Sequence, residues 1–165
     1  MKKIIFTFII TFGIALSSSA QDVYNYVLES STRIVNTPTS NFTNTRIAQF
    51  KRTALIYMKS KALETMPEVT AQFLDTQAYY LSEFVTLFFN KILKENKDNQ
   101  ELTKSKIQLF IDASFSNPLF NDPDTETTHS YIMEEGELTP FCLDTDWMKA
   151  HTAATVVLKE LKKLE

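Results

Sequence analysis

Residues Pro67 to Asn96, PEVTAQFLDTQAYYLSEFVTLFFNKILKEN, decide the fold class. At about 100° per residue, Val69, Phe73, Leu74, Ala78, Tyr80, Leu81, Phe84, Val85, Leu87, Phe88, Phe89 and Ile92 fill an arc of about 200°. Gln72, Asp75, Thr76, Ser82, Glu83, Thr86 and Asn90 occupy the narrow polar remainder. A stripe this wide belongs to a central helix that other helices cover on more than one side. Pro67 stands at the expected first helical position, where its missing N–H costs nothing.

The flanking segments repeat the helical period. Tyr24, Val27, Leu28, Ile34 and Val35 predict a helix over Val23 to Val35. A polar loop, Asn36 to Asn44 with Pro38, separates it from a second helix over Thr45 to Thr65. There Ile47, Phe50, Ala54, Tyr57 and Met58 share one face, and Arg52 and Lys59 lie opposite. After KENKDNQE, a fourth helix over Gln100 to Phe115 turns Ile107, Phe110, Ile111 and Phe115 inward. It stops before Asn117-Pro118, since the residue preceding proline is driven out of the helical region.

A fifth helix follows Asp144. That residue is the expected N-cap, Leu143 and Met148 take the positions of a hydrophobic staple, and Asp146 sits in the first turn, where the helix dipole favours an anion. Trp147, Ala150, His151, Ala154, Leu158 and Leu161 form its apolar stripe, and Lys159, Lys162 and Lys163 complement its C-terminal end. Five of the sequence's breaks fall at prolines, and Gly136 is the one glycine outside the leader, a sparseness that suits helices. The expectation is an all-α, bundle-like single domain of about five helices, residues 21–165.

The leader, residues 1–20, is read as a signal peptide: MKK, the largely apolar run Ile4 to Leu16, then SSSAQ with small residues Ser18 and Ala20 before the cut. The run is shorter than the roughly 20 apolar residues that cross a bilayer. Cys142 lies far from that site, so the cysteine of a bacterial lipid anchor is missing. The expected product is exported, periplasmic or secreted, with no membrane span after cleavage. A domain of this size is within the usual roughly 100–200 residues, and a lone cysteine makes no internal disulfide, so packing must hold it.

The chain has 17 basic and 20 acidic residues, and loss of Lys2 and Lys3 makes it more acidic still. Nucleic acid is excluded as a partner, because phosphate binding draws on a basic patch. Charge is unevenly placed: Ser30 to Leu63 holds Arg33, Arg46, Lys51, Arg52, Lys59 and Lys61 and no acid, whereas Ile107 to Met148 holds nine acids and no Lys or Arg. Either the two segments neutralise each other in the fold or they present a polarised surface to a partner.

The connection Ser116 to Cys142 is long for a structureless link and is therefore a candidate for function. Ser130 to Met133 and Glu137 to Phe141 have the composition of a short hairpin across Glu135-Gly136, weakened by Pro140. Within it, NDPDTETTHSY places Asp122, Asp124 and Glu126 at alternate positions ahead of His129, the candidate binding residues. An EF-hand loop starting at Asp122 would need Gly and Glu where the chain has Thr127 and Met133. Zinc would need a second spaced pair of Cys or His. No metal or cofactor is therefore assigned, and Asp, Asn and Thr around Pro123 are also ordinary turn chemistry.

Other chemistry is thinly supported. Cys142 near a helix start, with His151 or His129 as base, lacks the surroundings of a thiolate, because Asp144 and Asp146 would oppose it. No GxSxG elbow or glycine-rich phosphate loop occurs. No pair of carboxylates stands out for glycoside hydrolysis. Tyr79, Tyr80, Phe84, Phe88 and Phe89 read as core before they read as a ligand pocket.

The run LTPFCLDTDW with the MKA after it, together with the MKK…SSSAQ leader, resembles small exported proteins of Bacteroidetes-type bacteria. That resemblance implies a compartment and transfers no catalytic residue. The functional expectation is a binding or interaction module for a protein or small ligand, working through the acidic segment 116–142. The alternative is a small metal-dependent enzyme or hydrolase built on Asp122, Asp124 and His129.

Overall fold

The computed structural model describes residues 22–93, 100–120 and 141–162. Among them are five α-helices: α1 (Asp22–Val35), α2 (Phe42–Thr65), α3 (Ala71–Leu87), α4 (Gln100–Phe115) and α5 (Trp147–Leu161). A π-helical turn, Phe88–Leu93, continues α3. The protein is an all-α domain, as the sequence predicts. α1 and α2 pack along each other, α3 touches α1, α2 and α5, and α4 lies against α5 and the π-helical turn. The broad stripe of α3 is thus covered from several sides.

The core is aromatic at its centre. Phe84 of α3 sits 4.7 Å from Phe110 of α4, 5.5 Å from Phe141 and 5.6 Å from Trp147 of α5, ring centre to ring centre. Phe50 of α2 closes the group, 5.3 Å from Phe141 and 5.8 Å from Trp147. The tilted and edge-on arrangements set the positive ring edges against negative faces. The π-helical turn lets neighbouring Phe88 and Phe89 both serve this core: Phe88 is buried, Phe89 is half-buried, and their rings meet edge-on at 5.2 Å. Around the rings, Leu55, Met58, Leu81 and Val85 are buried.

Three helix starts differ from the sequence expectation. α2 begins at Phe42, because Asn41 caps it by accepting the Thr43 N–H at 2.9 Å. α3 begins at Ala71 and not at Pro67, which lies in a turn; Thr70 is the cap, its hydroxyl accepting the Phe73 N–H at 3.2 Å. α5 is capped by Asp146, whose carboxylate accepts the Lys149 N–H at 3.3 Å and pairs with the Lys149 ammonium at 3.3 Å. Asp144 is engaged elsewhere, its Oδ1 accepting the Phe120 N–H at 2.7 Å. With the cap two residues later, Leu143 and Met148 no longer occupy the staple positions, and Met148 is exposed.

Two polar residues of α3 do unexpected work inside the fold. Asp75, expected on the solvent strip, is buried and accepts the Tyr24 N–H at 2.8 Å, satisfying a free donor in the first turn of α1. Gln77 is buried too; its amide donates to Asp146 Oδ1 at 3.0 Å and accepts the Trp147 N–H at 2.8 Å. One helix therefore helps to cap the starts of two others. Tyr24 adds a second tie, donating its hydroxyl to the Leu55 carbonyl at 3.0 Å, with the Lys59 ammonium 5.4 Å over its ring. Phe115, expected inward, is exposed, and Leu55 takes a buried place where Tyr57 had been expected.

Candidate functional site

A cleft of about 250 Å³ opens along the seam between α1 and α2. Small side chains leave the room: Ser30 and Ser31 on α1 face Ala48 on α2, with Ser40 from the connecting turn. Larger residues at these positions would fill the seam at the density of an ordinary interior. Val27, Ser31 and Ala48 are the buried members of the lining, whereas Tyr26 and Ile34 stand at the rim, 71% and 38% exposed. Ile47 adds apolar wall, and Asn44 lies near the start of α2.

Lys51 is the charged residue of this lining, and α3 contributes Ser82 beside it. Its position follows from the helical repeat: it is four residues from both Ile47 and Leu55, on the side of α2 that turns inward. The Nζ donates to Ser82 Oγ at 3.0 Å. Among the described residues no carboxylate forms an ion pair with it, in contrast to Lys61 with Glu64 and Lys149 with Asp146, each at 3.3 Å. Burial lowers the Lys51 pKa below the ordinary lysine value, and the nearby charge of Glu83 opposes that shift only in part.

The sign of this shift bears on why a lysine is there. Between the lowered folded value and the ordinary unfolded one, the unfolded chain binds more protons, so stability rises with pH across that interval. Below it, a charged Lys51 costs the fold stability. A methionine of similar length would occupy the seam without that cost, but also without the bond to Ser82.

The candidates read from the sequence fall as follows. Asp122, Asp124, Glu126 and His129, with the expected hairpin, lie outside the described residues. What is described is the stem on either side of them. The Leu119 N–H donates to the Asp144 carbonyl at 2.9 Å, the Asp146 N–H donates to the Asn117 carbonyl at 2.7 Å, and Pro118 bridges Thr145 in antiparallel fashion. The chain leaves at Phe120 and re-enters at Phe141 with these two flanks bound to each other. Cys142 is buried, and its carbonyl accepts the Thr145 hydroxyl at 2.7 Å. His151 is half-buried against the Tyr80 ring, 5.2 Å between centres. Phe84 and Phe88 are core, whereas Tyr79 is half-exposed. Among the described residues no three His, Cys, Asp or Glu side chains gather as a metal site.

Lys51 and Ser82 were missed because one was counted within a basic run and the other within a polar strip. The available signal was positional: Lys51 interrupts the inward stripe Ile47, Ala48, Ala54, Leu55, Met58.

The fold and the cleft together define an all-α domain with a half-buried amine, Lys51, in a small, partly apolar recess. No protein-family model matches the chain, and comparison with curated proteins and with solved structures finds no match. No described helix is long and apolar enough to cross a membrane.

Proposed function

We propose that this chain is an exported binding module whose cleft between α1 and α2 takes a small molecule with an apolar body and an oxygen-bearing head. The observation that carries the reading is Lys51, an amine without a carboxylate partner among the described residues, on the wall of an open recess. A lysine ammonium has three donors. One goes to Ser82, so the remaining two suit an acceptor on the ligand, whether carboxylate, carbonyl or hydroxyl. Val27, Ile34 and Ile47 suit the body, whose transfer from water contributes about 25 cal/mol per Å². The cleft is slightly smaller than the roughly 300–1,000 Å³ of pockets for drug-sized ligands, which points to a compact occupant.

Export rests on the leader, residues 1–20, and on the likeness of that leader and the LTPFCLDTDW run to small exported proteins. Asp75 holds the Tyr24 N–H from within the domain, so cleavage after Ala20 would leave that tie in place. The enzyme reading built on Asp122, Asp124 and His129 concerns residues outside the described ones and has no geometry behind it.

Titration of the isotopically labelled protein with hexanoate, hexanol and hexanal tests the reading. The amide resonances of Val27, Ser31, Ala48 and Lys51 are expected to move together for at least one of the three. Lys51→Met is expected to abolish discrimination among the head groups while the apolar body still binds. If none of the three moves the cleft resonances, the binding reading is wrong.

A further inference from the structure

We infer that the head group is a carbonyl and that Lys51 holds small apolar aldehydes as imines, with Ser82 serving the proton transfers; this rests on the binding reading of the same cleft. Three features of the site lead there. First, no carboxylate among the described residues forms an ion pair with Lys51: Lys61 and Lys149 each meet one at 3.3 Å, whereas Lys51 meets the hydroxyl of Ser82 at 3.0 Å, and the charge of Glu83 offsets its desolvation only in part. Second, the recess beside it has apolar wall from Val27 and Ile47 and uncharged hydroxyls from Ser30, Ser31 and Ser82, a lining that suits a neutral reacting group with an apolar chain. Third, the one hydrogen bond fixes where the nitrogen sits, on a helix whose inward side is fully packed at Ala54, Leu55 and Met58. Burial also favours the neutral amine, the form that is nucleophilic.

The reaction balances without any further reagent. The nitrogen lone pair of the neutral amine attacks the carbonyl carbon, a C–N bond forms, and the C–O π electrons move to oxygen. A proton passes from nitrogen to that oxygen to give the carbinolamine. The hydroxyl then leaves as water with the second nitrogen proton as the C=N bond forms, so amine and aldehyde become imine and water. The Ser82 hydroxyl, within hydrogen-bond distance of the nitrogen, can accept and return a proton in both transfers.

The full chain treated with hexanal and cyanoborohydride, which reduces an imine to a stable secondary amine, decides the matter by peptide mass mapping. Lys51 is expected to be alkylated several-fold faster than Lys61 and Lys149. Ser82→Ala is expected to slow alkylation at Lys51 several-fold at saturating hexanal, with the rates at Lys61 and Lys149 as internal controls. Alkylation of Lys51 no faster than of Lys61 and Lys149, with hexanal still seated in the cleft, overturns the imine and leaves the binding reading standing. Alkylation equally fast in Ser82→Ala overturns the role given to that hydroxyl. No seating of hexanal at all overturns the imine, and it overturns the binding reading as well only if hexanoate and hexanol also leave the cleft resonances unmoved.

Discussion

Phe84→Ala is expected to lower the unfolding free energy by about 3–5 kcal/mol, the sum of lost transfer energy and an unfilled cavity. Phe84 has no solvent exposure and its ring meets Phe110, Phe141 and Trp147, so truncation removes the common neighbour of α3, α4, α5 and the re-entering chain. The hole is hard to close, because Leu81, Val85 and Phe88 around it are themselves buried. Against a total stability of about 5–15 kcal/mol for a domain, such a loss leaves a protein near the edge of folding. Urea unfolding followed by far-ultraviolet circular dichroism measures it. Tyr79→Ala serves as the comparison: it lies on the same helix but is half-exposed, and is expected to cost at most about 0.5 kcal/mol. Similar losses for both variants would mean that the aromatic centre does not hold the helices together.

The second large effect is expected at Gln77. Gln77→Ala breaks two buried hydrogen bonds, one to the Asp146 carboxylate and one from the Trp147 N–H. Bonds to charged groups contribute about 1.5–3 kcal/mol, and a buried polar group left without a partner costs about 1–3 kcal/mol. The combined loss is expected near 3 kcal/mol. Its signature is local as well as global: amide exchange at Trp147 and the first turn of α5 should accelerate beyond what the change in global stability gives. Asp146→Ala removes the partner of the Gln77 amide, so the double variant should lose less than the two single losses added together. Strict additivity would show that Gln77 and Asp146 act separately.

Local patterns in the chain carry most of the fold. The helical period gives α1, α2, α3, α4 and α5, and α4 ends at Phe115 in the structure as the sequence expects. The width of the α3 stripe announces its central place, and Trp147, Ala150 and Ala154 are buried as their spacing requires. What local pattern does not carry is the choice between chemically equal candidates. In LDTDW both aspartates satisfy the rule for a cap, and Asp146 takes the role because Gln77 from a distant helix meets it, while Asp144 is drawn to the Phe120 N–H. Asp75 looks like a surface acid until α1 brings an unsatisfied N–H to it.

The cleft was illegible for a related reason. A recess exists only where two helices bring small residues opposite each other, and the spacing of Ser30, Ser31 and Ala48 along the chain says nothing about that meeting. Lys51 was hidden by its neighbours: among Arg46, Arg52 and Lys59 it reads as one more surface base. Its place on the inward stripe of α2 separates it from them once Ser82 of α3 is seen beside it.

The account turns on Lys51 being a desolvated amine facing the cleft, and its own titration tests this most directly. The Cε chemical shift of each lysine, followed against pH by nuclear magnetic resonance, reports its ionisation. Burial of Lys51 without a carboxylate partner among the described residues predicts that it loses its proton at lower pH than an ordinary lysine. If Lys51 titrates at the ordinary lysine value, the amine is solvated like any surface lysine, and the site described for it does not exist.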